Sequence, residues 1–110
     1  MNIYLVTRKD IHLTYDVFIS FVCVAKDEDE ARSLIPAIQG SPFEYKWIDG
    51  KLHKRWSDTT YDKHEDDGFE LCEYGESWCY NIDDVQAKKI GIADDCYKKA
   101  EIIHDYFNAG

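Results

Sequence analysis

The stretch from Phe43 to Trp56 constrains this chain more than any other. At its centre stands Asp49-Gly50, a pair suited to a two-residue type I′ turn, in which both residues need positive φ. Pairing outward from that turn sets Ile48 against Lys51, Trp47 against Leu52 and Lys46 against His53. Tyr45 then opposes Lys54, Glu44 opposes Arg55 and Phe43 opposes Trp56. Opposed residues of an antiparallel pair lie on one face and interact. A single register therefore yields an aromatic face and a mostly polar face, with Glu44 and Arg55 as complementary charges. A hairpin over residues 43–56 follows.

Around it the chain reads as mixed α and β. Ile3, Leu5 and Thr7 alternate with Tyr4, Val6 and Arg8, a first strand apolar on both sides; Arg8 to His12 is polar and reads as a connection. Tyr15 to Ala25 is a second strand, rich in β-branched and aromatic residues. It carries apolar groups on both faces, which predicts a central position in its sheet. Asp27-Glu28-Asp29-Glu30 opens a helix, with Asp27 as N-cap and Glu30 completing a capping box. Ala31, Leu34 and Ile35 form its apolar stripe, and Pro36 ends it. Phe69 to Tyr74 reads as a short strand. Val85 to Ala93 reads as another, with Lys88 and Lys89 suited to a sheet edge. Toward the C-terminus, Asp94 or Asp95 caps a short helix through Lys99, and a closing strand follows over 101–107. The expected class is α+β: a mainly antiparallel sheet of four to six strands with one or two short helices packed on one face. At 110 residues, the chain fits a single domain spanning 1–110.

Several short pieces, in order, resemble a family of small, uncharacterised bacteriophage and prophage proteins. They are Tyr4-Leu5-Val6-Thr7-Arg8, Tyr15-Asp16, Val24-Ala25-Lys26, Asp29-Glu30-Ala31-Arg32 and Ile35-Pro36. Trp78, Asp84-Val85, Ile90-Gly91-x-Ala93 and the terminal Phe107-Asn108-Ala109-Gly110 complete the series. The likeness covers the two ends of the chain. It departs from the family at Ile35, at Asn81-Ile82 and in the longer stretch between Pro36 and Trp78, which holds the hairpin and an acidic run. The resemblance lends no catalytic residues. It implies a phage context, in which small acidic proteins often block host defence complexes.

The net charge is −9, and it is local. Asp58, Asp62, Glu65, Asp66, Asp67, Glu70, Glu73, Glu76, Asp83 and Asp84 all fall within residues 57–84, opposed there by Lys63 alone. The remaining residues balance acids with bases. A concentrated acidic surface can occupy a cationic groove meant for nucleic-acid phosphates. The expected partner is therefore a host protein with a basic nucleic-acid-binding surface, met through those ten carboxylates with Trp47 and Trp56 adding short-range affinity. Direct binding of nucleic acid is not expected. Lys46, Lys51, Lys54 and Arg55 are basic, but the hairpin register puts only Lys54 on the face of the tryptophans.

No Gly-rich phosphate loop, nucleophile elbow or HExxH helix occurs, so a non-enzymatic protein without cofactor or metal is expected. Two competing readings stand beside the inhibitor. One is a homo-oligomeric or virion-associated structural protein that uses the aromatic hairpin as its interface. The other is a metal-dependent hydrolase drawing on acids of segment 57–84, such as Asp66, Asp67 and Glu70. Cys23, Cys72, Cys79 and Cys96 have no zinc-finger spacing. They read as free thiols, the alternative being a disulfide or metal site through Cys72 and Cys79. No apolar run approaches the ~20 residues of a membrane span, and no secretion signal opens the chain. The expected location is the cytoplasm.

Overall fold

A computed structural model describes residues 1–10, 17–37, 41–56, 68–73, 77–94 and 96–108. Its described part is α+β and mostly antiparallel sheet. The strands are β1 (Asn2–Arg8), β2 (Val17–Ala25), β3 (Phe43–Ile48), β4 (Lys51–Trp56), β5 (Glu70–Leu71), β6 (Val85–Ile92) and β7 (Glu101–Asn108). One helix, α1 (Glu28–Ser33), follows β2, and a 3-10 turn (Ile82–Asp84) precedes β6. The larger sheet has four strands, within the expected four to six, and the other three form a second sheet. The larger has the order β6-β1-β2-β7, the smaller β3-β4-β5.

The apolar strands β1 and β2 are central in the larger sheet, as their two-sided composition requires. Residues 2–7 pair with 25–20. Tyr4, Val6, Phe21, Cys23 and Ala25 then point to one face and are buried. The lysine-bearing β6 and the C-terminal β7 form the edges. The helix expected ahead of β7 does not form: residues 94 and 96–100 hold only a turn, in which the Tyr97 amide donates to the Asp94 carbonyl at 3.4 Å. The ladder offered by β2 draws residues 101–108 into a strand. The closing strand read over 101–107 is thus present as Glu101–Asn108.

The hairpin forms with the register read from the sequence, all six pairs from Phe43↔Trp56 to Ile48↔Lys51. Asp49 and Gly50 have φ of 52° and 74°, the left-handed pair of a type I′ turn. The aromatic face turns inward at its turn end. Leu52 is fully buried, and Tyr45 and Trp47 pack against the core beside it. The strand read over 69–74 shrinks to Glu70–Leu71; Tyr74 lies outside the described residues. Helix α1 is capped by Asp27, whose side chain accepts from the Glu30 amide at 2.9 Å. The Glu30 carboxylate reaches one residue further back than a standard capping box, to the Lys26 amide at 3.0 Å. The helix ends at Ser33, with Leu34 already extended at ψ 140°.

The core draws on both sheets. Tyr4, Val6, Phe18, Phe21 and Cys23 meet Leu52, Cys72, Trp78 and Cys79, together with Ala31 of the helix. No described helix is long and apolar enough to cross a membrane.

Replacing Gly50 should expose the strain of the turn. A Cβ there would stand 3.5 Å from Ile82 Cγ2, an ordinary contact, so the cost is conformational, about 1–2 kcal/mol. Gly91 sits outside the left-handed region, and its Cβ would meet Ile3 Cδ1 at 3.6 Å. Gly50→Ala should lower the urea midpoint clearly. Gly91→Ala should change stability by no more than about 0.5 kcal/mol.

Candidate interaction surface

β4 is the strand on which the smaller sheet and the acidic segment meet. One edge pairs with β3. Along the other, β5 pairs with it at His53↔Leu71 and Lys54↔Glu70. The ladder then continues in two pieces. The Cys72 amide donates to the Leu52 carbonyl, and the Leu52 amide donates to the Tyr80 carbonyl, each at 2.9 Å. Lys51 bridges Asn81, and the Ile82 amide donates to the Gly50 carbonyl at 2.9 Å. Residues 70–72 and 80–82 thus share one edge of β4.

This arrangement brings opposite charges side by side. β4 carries Lys51, Lys54 and Arg55. Arg55 pairs with Glu44 across the hairpin and lies 4.2 Å from the centre of the Phe69 ring. Lys54 stands 4.9 Å over Phe43 and Lys51 stands 5.3 Å over Tyr80. Such cation–π contacts contribute about 0.5–1 kcal/mol each at exposed sites. They hold the basic groups down on aromatic rings beside the acidic flank.

Of the carboxylates named from the sequence, Glu70, Glu73 and Asp83 are exposed, and Asp84 is half-buried. The Asp84 carbonyl accepts from the Lys9 amide at 2.8 Å, which ties the flank to the larger sheet. Asp58, Asp62, Glu65, Asp66, Asp67 and Glu76 lie outside the described residues. The two tryptophans part company. Trp56 is exposed and stacks on Phe43 with ring centres 4.6 Å apart. Trp47 is half-buried against the core, its indole nitrogen inside and without a hydrogen-bond partner among the described residues. Leu71 stands exposed beside Glu70. Sequence reading missed it, because a lone leucine in a two-residue strand carries no pattern that says which way it points.

Beneath the surface lies a second cluster that the sequence did not single out. Arg8 and Asp10 form a buried ion pair, with Nε to Oδ1 at 2.6 Å and Nη2 to Oδ2 at 2.8 Å. Their side chains are 7% and 3% exposed. Arg8 Nη1 also donates to the Phe18 carbonyl at 3.0 Å. The guanidinium lies 5.5 Å from the centre of the Trp78 ring. Burial raises the pKa of the Asp10 carboxyl, but the hydrogen bond and charge of Arg8, with a hydrogen bond from Cys79, outweigh it. The group sits below its ordinary value of 3.8. The Cys79 thiol is pushed up to about 12, first by burial and then by the Asp10 charge. Burial and the Glu30 charge push Cys23 up to about 11. Both are protonated at neutral pH, and thiols are poor nucleophiles and metal ligands in that form.

All four cysteines are free, and Cys72 and Cys79 do not form a disulfide. No group of three His, Cys, Asp or Glu able to hold a metal ion occurs among the described residues. His64, Asp66 and Asp67 lie outside them. Comparison with protein-family models, curated proteins and solved structures finds no match for this chain.

Two measurements check the interior. Asp10→Asn leaves Arg8 buried without its counter-charge and should cost about 3–5 kcal/mol. Because the folded-state pKa of Asp10 is depressed, its contribution is complete above the ordinary value of 3.8. It is lost as pH falls through the lower folded value. The wild type should therefore lose more stability than Asp10→Asn on acidification below that point, as read by urea unfolding. With Ellman's reagent, the native protein should show one fast thiol, the exposed Cys96. Cys96→Ser should abolish that phase, and the other three should react only on unfolding.

Proposed function

We propose that this protein acts by binding another protein through the acidic flank formed beside β4 by residues 70–73 and 80–84. The reading rests on one observation: the whole net charge falls within residues 57–84, where Glu70, Glu73 and Asp83 are exposed and the exposed Leu71 adjoins Glu70. Trp56 ends the same strand, β4. Charge speeds encounter and selects a partner of opposite sign. Leu71 and Trp56 supply the apolar anchors that charge alone lacks. The chemistry fits a partner with a basic, nucleic-acid-binding surface, whose phosphate contacts the carboxylates imitate. With the resemblance to phage proteins, this makes the chain a non-enzymatic accessory protein that inhibits a host factor in the cytoplasm, in the manner of an anti-CRISPR or other anti-defence protein. The reading also takes α1 as packed across one face of the larger sheet. Ala31 is fully buried, and Arg32 donates to the carbonyls of Ile82 and Val85, each at 2.8 Å. Those bonds help set the acidic flank in place.

Affinity capture from host lysate identifies the partner, and its binding is then measured at low and high salt. Association should slow as salt shortens the screening length from roughly 10 Å at 0.1 M to about 3 Å at 1 M. The triple variant Glu70→Gln, Glu73→Gln, Asp83→Asn should associate more slowly at low salt and lose most of the salt dependence. Trp56→Ala or Leu71→Ala should raise the dissociation rate about tenfold or more. Equal affinity of wild type and triple variant at both salts would remove the acidic flank from any role in binding.

A further inference from the structure

Six large hydrophobic residues are exposed in the described part, and four of them occupy the outer strands of the larger sheet. On β6 these are Ile90, 53% exposed, and Ile92, 75% exposed. On β7 they are Ile103, 44% exposed, and Tyr106, 59% exposed. Both strands are eight residues long, and neither contains proline. Among the described residues, neither has a strand paired on its outer side.

The charges on the two edges are opposite. β6 carries Lys88 and Lys89, both exposed, and no acid. β7 carries Glu101 and Asp105, both exposed, with His104 between them. An edge lysine is a common guard against unspecific strand pairing. Pairing β6 with a second β6 would set Lys88 against Lys89, and pairing β7 with a second β7 would join two acidic strands with no lysine to offset them. Only the unlike pairing joins lysine to carboxylate and apolar edge to apolar edge, so like-charge repulsion selects it.

Strand direction permits the same pairing. Every neighbouring pair in the sheet is antiparallel, and the sheet has four strands. β6 and β7 therefore run in opposite directions. A second copy set edge to edge, in the same orientation, brings its β6 antiparallel against the first copy's β7, with the core faces on the same side. The alternation of strand directions then carries across the join.

We infer that the partner of these edges is a second copy of this chain, joined head to tail through β7 of one molecule and β6 of the next. The interface is heterologous, so each copy keeps one free edge of each kind. Addition continues into a filament or closes into a ring. It uses surfaces distinct from the acidic flank on β4, and neither interaction requires the other.

Sedimentation velocity and light scattering from low to high micromolar concentration test this. The weight-average mass of the wild type should rise beyond twice that of one chain at low salt and fall back in high salt. Lys88→Glu with Lys89→Glu should remain monomeric, because both edges are then negative. Glu101→Lys with Asp105→Lys should remain monomeric, because both are then positive. An equimolar mixture of the two variants should regain the wild-type mass, since each edge again meets its opposite. The triple variant of Glu70, Glu73 and Asp83 should assemble like wild type, which separates this surface from the acidic flank. A wild type that stays monomeric throughout overturns the inference whatever the variants do. So does growth that stops at a dimer, or a mixture of two folded variants that stays monomeric.

Discussion

Trp78 is the side chain on which the rest of the molecule closes. It is fully buried. Phe21 of the larger sheet lies 5.3 Å away, ring centre to ring centre, and the Arg8 guanidinium lies 5.5 Å from its own ring centre. A buried guanidinium is costly unless its charge is met and its N–H groups are bonded. Asp10 and the Phe18 carbonyl satisfy both needs, and the indole face covers the cation. The backbone around Trp78 then joins what the strand ladders leave separate. The Phe18 amide donates to Ser77 at 2.7 Å, binding this segment to β2, and the Leu52 amide donates to Tyr80, binding it to β4. Arg32 reaches Ile82 and Val85 from the helix. The segment from Ser77 to Val85 therefore touches both sheets and the helix.

That dependence explains why some of the fold is legible in the sequence and some is not. The hairpin is readable because its information is local. Asp49-Gly50 fixes the turn, the turn fixes the register, and the register sorts aromatic from polar groups with Glu44 against Arg55. The helix start at Asp27 is local in the same way, as is the position of β2 at the centre of its sheet. The division into two sheets is not local. It depends on the free edge of β4 being occupied by residues 70–72 and 80–82, whose sequence, from Cys72 through Trp78 to Asn81, has no alternation. The closing strand read over 101–107 forms as Glu101–Asn108, whereas the helix read ahead of it does not, because its capping aspartate and its spacing do not outweigh the turn that leads into β7.

The candidate surface divides along the same line. The charge imbalance is a sum over residue types, so composition reveals it directly. Placement of the carboxylates depends on the β4 ladder, which the sequence does not display. Trp47 and Trp56 look equivalent in the hairpin pattern, yet the first is drawn against the core and the second is left exposed. The difference is their distance along the strands from the buried Leu52. Arg8 and Asp10 read as part of a polar connection. Their burial follows from Trp78, seventy residues later in the chain, and no local signal marks it.

The placement of the acidic flank sets a condition on any partner that uses it. Lys54 lies directly across the ladder from Glu70, and Lys51 stands over Tyr80 on the same margin. An incoming cation does not meet bare carboxylate charge but competes with lysines already fixed nearby. Exposed pairs of this kind contribute little to stability, about 0–1 kcal/mol, so the fold loses little when they are disturbed. They do lower the field close to β4. Attraction is therefore weakened at Glu70, which lies across the ladder from Lys54. A cationic groove would engage this flank from its outer margin inward, reaching the exposed Leu71 only after the carboxylates have oriented it. In the proposed binding role, charge would govern the encounter and apolar contact its lifetime, because β4 holds basic and acidic residues side by side.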